Sequence, residues 1–202
     1  MKKLFLLATL ILGSLQVQAA DYVLFGDHTV DTQNPNVTIE LTNAVELGNP
    51  SDKAADVVTT VNNYVASGWL DVTAKHIISV GTHDLISAIN WLPTPYAPWA
   101  HFPIQSAANS INDAVTTLQA NGVTDITVVV PNSLVDSNFG QYTLFYRPDF
   151  QDDYEALANT LAYRVSANGA EVVVLPNGEW SAVSGSYELS QNGYATLKAL
   201  VE

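Results

Sequence analysis

From residue 20 onward the apolar positions fall into two alternating patterns: short runs bounded by turn residues, and stretches in which they recur every three or four residues. The first pattern predicts strands and the second helices. Tyr22 to Phe25 is expected as the first strand and Val37 to Leu41 as the second. Ser51 is placed to cap a helix from about Lys53, with Val57, Val61, Tyr64 and Val65 on one face. His76 to Val80 is a third strand. Ile104, Ala108, Ile111, Val115 and Leu118 step by four and three, which predicts an amphipathic helix ending near Asn121-Gly122. Ile126 to Val130 is almost wholly apolar, as expected of a strand covered on both faces. Tyr154, Leu157, Leu161 and Val165 mark a further helix stopped at Asn168-Gly169, and Glu171 to Leu175 is a fifth strand. The last helix, capped by Ser190, should bury Tyr194, Leu197 and Leu200. Together these elements predict an α/β fold, a three-layer α/β/α sandwich around a five-stranded, mostly parallel sheet. Ligands of such sheets bind beyond the carboxyl ends of the strands, where neighbouring connections diverge to opposite faces.

The first nineteen residues follow neither pattern. Lys2 and Lys3, an apolar run from Leu4 to Leu12 and a small-residue exit at Val17-Gln18-Ala19 have the layout of a secretory signal peptide, with cleavage expected after Ala19. The run is far shorter than the roughly 20 residues that cross a bilayer, and no later stretch is long and apolar enough, so no integral membrane segment is expected. The reading is a leader over 1–19, a single domain over 20–202, and a periplasmic or secreted location. With no cysteine in the chain, the exported domain is held by its core and not by disulfides.

Loss of the leader removes two lysines. Five basic residues (Lys53, Lys75, Arg147, Arg164, Lys198) then face twenty acidic ones, a net charge of −15. Such a surface repels nucleic acid and anionic headgroups, which argues against both as partners.

Candidate chemistry gathers at the predicted strand ends. Phe25-Gly26-Asp27-His28-Thr29-Val30-Asp31 follows the first strand, Asn43 to Ser51 the second, and Val80-Gly81-Thr82-His83-Asp84-Leu85 the third. Glu188-Leu189-Ser190-Gln191-Asn192-Gly193-Tyr194 leads into the last helix. In this order and at these places the four blocks resemble those of SGNH (GDSL-type) hydrolases, the GDSL-like lipases and acylhydrolases. The resemblance implies a flavodoxin-like sandwich, with an oxyanion-hole glycine at Gly48. It also marks departures. His28 stands in the position of the family's serine nucleophile, His83 in that of its asparagine donor and Glu188 in that of its catalytic histidine, and Gly185 replaces the aspartate three residues earlier. Acyl transfer needs a hydroxyl, a base and oxyanion donors, so the resemblance implies the family's fold and pocket without its standard reaction.

In the family these positions converge on one reacting carbonyl. Carried over, that convergence would bring together His28, His83 and Glu188, a donor set suited to a divalent transition metal, with Asp27 or Glu46 orienting a histidine. The same residues also suit a pocket without metal, so both readings stand. Trp91-Leu92-Pro93-Thr94-Pro95-Tyr96-Ala97-Pro98-Trp99-Ala100-His101-Phe102-Pro103 is stiffened by four prolines and presents four aromatic faces. Trp91, Tyr96 and Trp99 are candidate binding residues for an acyl chain or a sugar ring. The expectation is therefore a non-catalytic relative that binds a small ligand, metal or partner in the former active-site cleft. The alternative is an ester hydrolase using His28, His83 and Glu188 beside Gly48, with or without metal assistance.

Overall fold

Side chains along the central strands alternate between two apolar layers, and that alternation sets the architecture. The computed structural model describes residues 19–27, 30, 41–90, 101–130, 150–166, 168–175 and 191–202. Five strands form one parallel sheet: β1 Tyr22–Gly26, β2 Ala44–Glu46, β3 Lys75–Ser79, β4 Ile126–Val130 and β5 Glu171–Val174. Their order is β2-β1-β3-β4-β5. Gly26 lies opposite Ser79, and Val130 opposite Val174. Five helices are described: α1 Ala54–Ala66, α2 Thr82–Asn90, α3 His101–Ala120, α4 Phe150–Ser166 and α5 Gln191–Val201.

Val23, Phe25, Ile78, Val128 and Val130 face a core shared with α1, α2, α3 and α4. Leu24, Ile77 and Val129 point the other way, onto Tyr194, Leu197 and Val201 of α5 together with Val30 and Leu41. A sheet buried on both faces by helices is the expected three-layer sandwich. Each large apolar side chain fully buried contributes roughly 1.5–3 kcal/mol. The central strands hold most of that burial, which is why their apolar runs were legible. Among the described residues no helix is long and apolar enough to cross a membrane; residues 1–18, which hold most of the expected leader, lie outside the described residues.

The structure corrects four expectations. The strand paired beside β1 is Ala44–Glu46, later than the expected Val37 to Leu41; Leu41 is a buried bend residue, and 37–40 lie outside the described residues. Its pairing comes from the backbone edge that β1 offers, so it needs no apolar run. The first residue outside α1 is Lys53 and not Ser51, because the Lys53 N–H donates to the Asp56 carboxylate (2.9 Å), which also suits the positive helix start. The turn after β3 continues directly into α2, which the apolar pattern did not announce. In α5 it is Val201 that is buried, while Leu200 is partly exposed; Val201 lies seven residues after Tyr194 and so returns to its face.

Candidate functional site

In a parallel sheet of order 2-1-3-4-5 the connections from β1 and β3 run to opposite faces, which opens a crevice beyond the carboxyl ends of these two strands. The first and third sequence blocks end at this crevice. Gly26 closes β1 with φ +146°, and a Cβ there would lie 1.8 Å from the Ser79 carbonyl oxygen. Only glycine lets β1 and β3 approach so closely. The next residue, Asp27, is fully buried, and its N–H donates to Ser79 O (3.0 Å). Val30 N–H then donates to Asp27 O (3.0 Å), turning the chain away from the sheet.

The second block enters from the other side. Beyond β2 the chain keeps pairing with β1: Leu47 N–H donates to Leu24 O (2.8 Å) and Asn49 N–H to Gly26 O (3.0 Å). This lays Gly48 against the end of β1, where a Cβ would come within 2.7 Å of Gly26 O and 3.0 Å of a Val30 methyl. The Gly48 N–H has no acceptor among the described residues. The Asn49 side-chain amide donates to the buried Asp52 carboxylate (3.1 Å), and burial raises the Asp52 pKa above the ordinary value.

The first turn of α2 grips the same loop. The His83 Nε2–H donates to Pro50 O (2.9 Å); since a carbonyl only accepts, that nitrogen carries the proton. Asp84 accepts from the Ala54 N–H (3.0 Å) at the start of α1. Burial pushes the Asp84 carboxyl up, outweighing the Ala54 N–H and the Lys53 charge, and the Asp27 charge adds to the rise. From α4, the fully buried Tyr154 brings its hydroxyl against Thr82, and burial holds that hydroxyl protonated far above its usual range. Asp84 has no role legible in the sequence beyond its place beside His83; the fold shows that it holds the start of α1.

The structure thus places Gly48 against the end of β1 that leads into Asp27, and turns His83 onto the loop after β2 by its Nε2. His28, Glu188, Trp91, Tyr96 and Trp99 lie outside the described residues. Among the described residues no three histidine, aspartate or glutamate side chains stand together as a metal site. What the described geometry supplies is a backbone donor and buried carboxylates, which suits a ligand bearing a carbonyl-type acceptor.

Removing the His83 grip should loosen the loop. In His83→Ala, amides of Gly48 to Ala54 are expected to exchange with solvent about 5- to 10-fold faster, the effect of losing roughly 1 kcal/mol of hydrogen bonding. His83→Asn should behave alike, because its shorter side chain falls short of Pro50 O. Hydrogen exchange followed by mass spectrometry reads both variants, and unchanged protection in them would contradict the assigned grip.

No family model matches the sequence, and no curated protein matches it. Solved structures do. The chain is similar to a member of the lipolytic protein G-D-S-L family from Veillonella parvula, with 13% identity and a TM-score of 0.58 over 90% of this chain and 97% of that one. It is also similar to a lipase/acylhydrolase from Enterococcus faecalis, with 17% identity and a TM-score of 0.57 over 90% and 93%. A carbohydrate acetylesterase from Sinorhizobium meliloti shares 15% identity and a TM-score of 0.56 over 90% and 96%. At such identities the shared property is the fold, that of the SGNH hydrolases.

Proposed function

We propose that this chain is an exported SGNH-fold protein that binds an acylated small molecule, such as an acetylated sugar, in the crevice beyond β1 and β3, and that it does so without serine-based acyl transfer. The observation that carries the reading is the residue after Gly26-Asp27. The close approach of β1 and β3 at Gly26 supports a site at this strand end, and the sequence there has His28 in the position where the resemblance expects a serine hydroxyl. The Gly48 N–H, left without an acceptor among the described residues, supplies a donor for the ligand's carbonyl oxygen. The acyl preference is supported by the acetylesterase and acylhydrolase among the similar structures. The leader layout of residues 1–19 supports export.

The test is a panel of acetylated sugars and short-chain esters, with binding read by calorimetry and turnover by released acid. Saturable binding of at least one acyl ligand is expected, with no turnover above buffer and no labelling by a fluorophosphonate, a reagent that captures activated serines. Stoichiometric labelling would overturn the reading. So would turnover lost in Glu188→Gln, which would favour the hydrolase alternative built on His28, His83 and Glu188. If that activity also needed a divalent transition metal bound through His28 and His83, its metal-assisted form would follow.

A further inference from the structure

The chain that leads from α1 into β3, at the end of the sheet opposite the crevice, presents a large aromatic side chain on a fixed backbone. Trp69 is 75% exposed. The turn that carries it is closed by the Ser67 hydroxyl, which donates to Tyr64 O (2.6 Å) and accepts the Trp69 N–H (3.2 Å). Two residues on, the Asp71 N–H donates to the hydroxyl of the buried Tyr64 (3.0 Å), and Asp71 Oδ1 accepts the Thr73 N–H (2.9 Å) and the Thr73 hydroxyl (2.6 Å). A loop already ordered in this way adds little ordering cost when Trp69 meets a ligand.

Trp69 lines a cavity of about 530 Å³, within the size range of small-ligand sites. Val45 and Leu47 add apolar surface to it, and Thr60 and Asn63 of α1 add polar groups. Thr60 and Asn63 stand three residues apart and so share one face of the helix. Their side chains make no hydrogen bond among the described residues, and the Tyr64 hydroxyl, which also lines the cavity, accepts one bond there and donates none.

These groups select the class of ligand. A sugar ring has a face of weakly positive C–H groups, which suits the negative face of an indole, and a rim of hydroxyls that both donate and accept. The Asn63 amide offers two donors and an acceptor, Thr60 a donor and an acceptor, and Tyr64 a donor, so such a rim can be matched. An acyl chain would lay methylenes on the same groups and leave them without partners. An anion would be opposed by Asp71 and by the net negative charge of the chain.

We propose that the cavity beside Trp69 is a second ligand site, for an uncharged sugar ring stacked on the indole and held at its hydroxyls by Thr60, Asn63 and Tyr64. It lies apart from the crevice and does not depend on the reading given for it. Nor does it depend on the leader, because of these lining residues only Ala19 would depart at the expected cleavage point.

The exported protein is titrated with cellotetraose, xylotetraose and maltotetraose, none of which carries an acyl group, while the Trp69 indole N–H resonance is followed by NMR and affinity by calorimetry. At least one sugar is expected to shift that resonance saturably. Its affinity should fall roughly 10-fold or more in Trp69→Ala and about 3- to 10-fold in Asn63→Ala, whereas Trp69→Phe, which keeps a flat apolar face, should retain most of it. Because Trp69 is largely exposed, an unchanged Tm in Trp69→Ala is expected and separates lost binding from lost fold. No shift with any of the three sugars would overturn the proposal, as would sugar binding that is unchanged in Trp69→Ala. A Trp69 resonance moved by myristate or tetramethylammonium and by no sugar would overturn it too. The acyl-ligand panel reads the crevice by itself, so either reading can fail without the other.

Discussion

Gly26→Ala should leave little or no folded protein. The added methyl would stand 1.8 Å from Ser79 O and 2.6 Å from Ser79 C, both backbone atoms of the neighbouring strand, at a φ of +146° that L-residues rarely adopt. Relief requires β1 and β3 to part at their carboxyl ends. That would break the Asp27 N–H to Ser79 O bond and withdraw the carbonyl to which Asn49 is tied. Overpacking alone costs about 1–3 kcal/mol, and the strained φ with the lost bonds takes the expected total to about 4 kcal/mol or more, a large share of a typical domain's stability. The comparison is Gly169→Ala. Gly169 also has a positive φ, +75°, but nothing lies within 4 Å of its added Cβ, so its expected cost is only the backbone term, about 1–2 kcal/mol. Denaturant unfolding of both variants measures the difference. A Gly26→Ala protein as stable as Gly169→Ala would mean that the two strands do not meet as described.

The second large effect is in acid. His76 is fully buried on β3, stacked on Phe25 with ring centroids 6.1 Å apart and tilted against Tyr64 at 6.2 Å. Its Nδ1–H donates to Ala74 O (3.0 Å), while Nε2 has no hydrogen-bond partner among the described residues. Protonation would put an unpaired N–H and a charge into the core, and burial accordingly lowers the His76 pKa below its ordinary value. The unfolded chain takes up this proton near pH 6.5 and the folded chain only at lower pH, so between those values the unfolded state binds more protons. The contribution is therefore complete above about pH 6.5 and is lost as pH falls. Its limiting slope is about 1.4 kcal/mol per pH unit, or several degrees in Tm for a domain of this size. Asp52 and Asp84 act in the opposite sense at lower pH, because their raised folded values let the fold take up protons first. The effect is thus clearest between pH 7 and 5. Thermal unfolding over that range should show a steeper loss in the natural chain than in His76→Gln or His76→Phe. The His76 Cε1 resonance, followed by NMR, should begin to titrate only below pH 6.5. A His76 that titrates normally in the folded protein would refute the assignment.

Where an element's existence depends on its own side chains, it could be read directly. β4 was expected at Ile126 to Val130 and lies there, because five buried residues in a row leave only a strand covered on both faces. The long helices α3 and α4 surround their expected apolar stripes for the same reason, and the glycine-marked blocks at the strand ends were legible because close backbone approach admits no other residue. β2 was misplaced because an edge strand of three residues with Val45 exposed is defined by its neighbour's backbone and not by its own composition.

The crevice divides along the same line. The sequence by itself determined the layered α/β plan, the positions of Gly26, Gly48 and Gly81, and the absence of serine after Asp27, since apolar period and glycine are local signals. Packing in three dimensions alone settled that His83 reaches Pro50 O and that Asp84 meets the Ala54 N–H 30 residues away. The reason is physical. A polar side chain is oriented by whichever donor or acceptor the packed helices leave within about 3 Å of it, and no local pattern encodes which distant backbone group that will be.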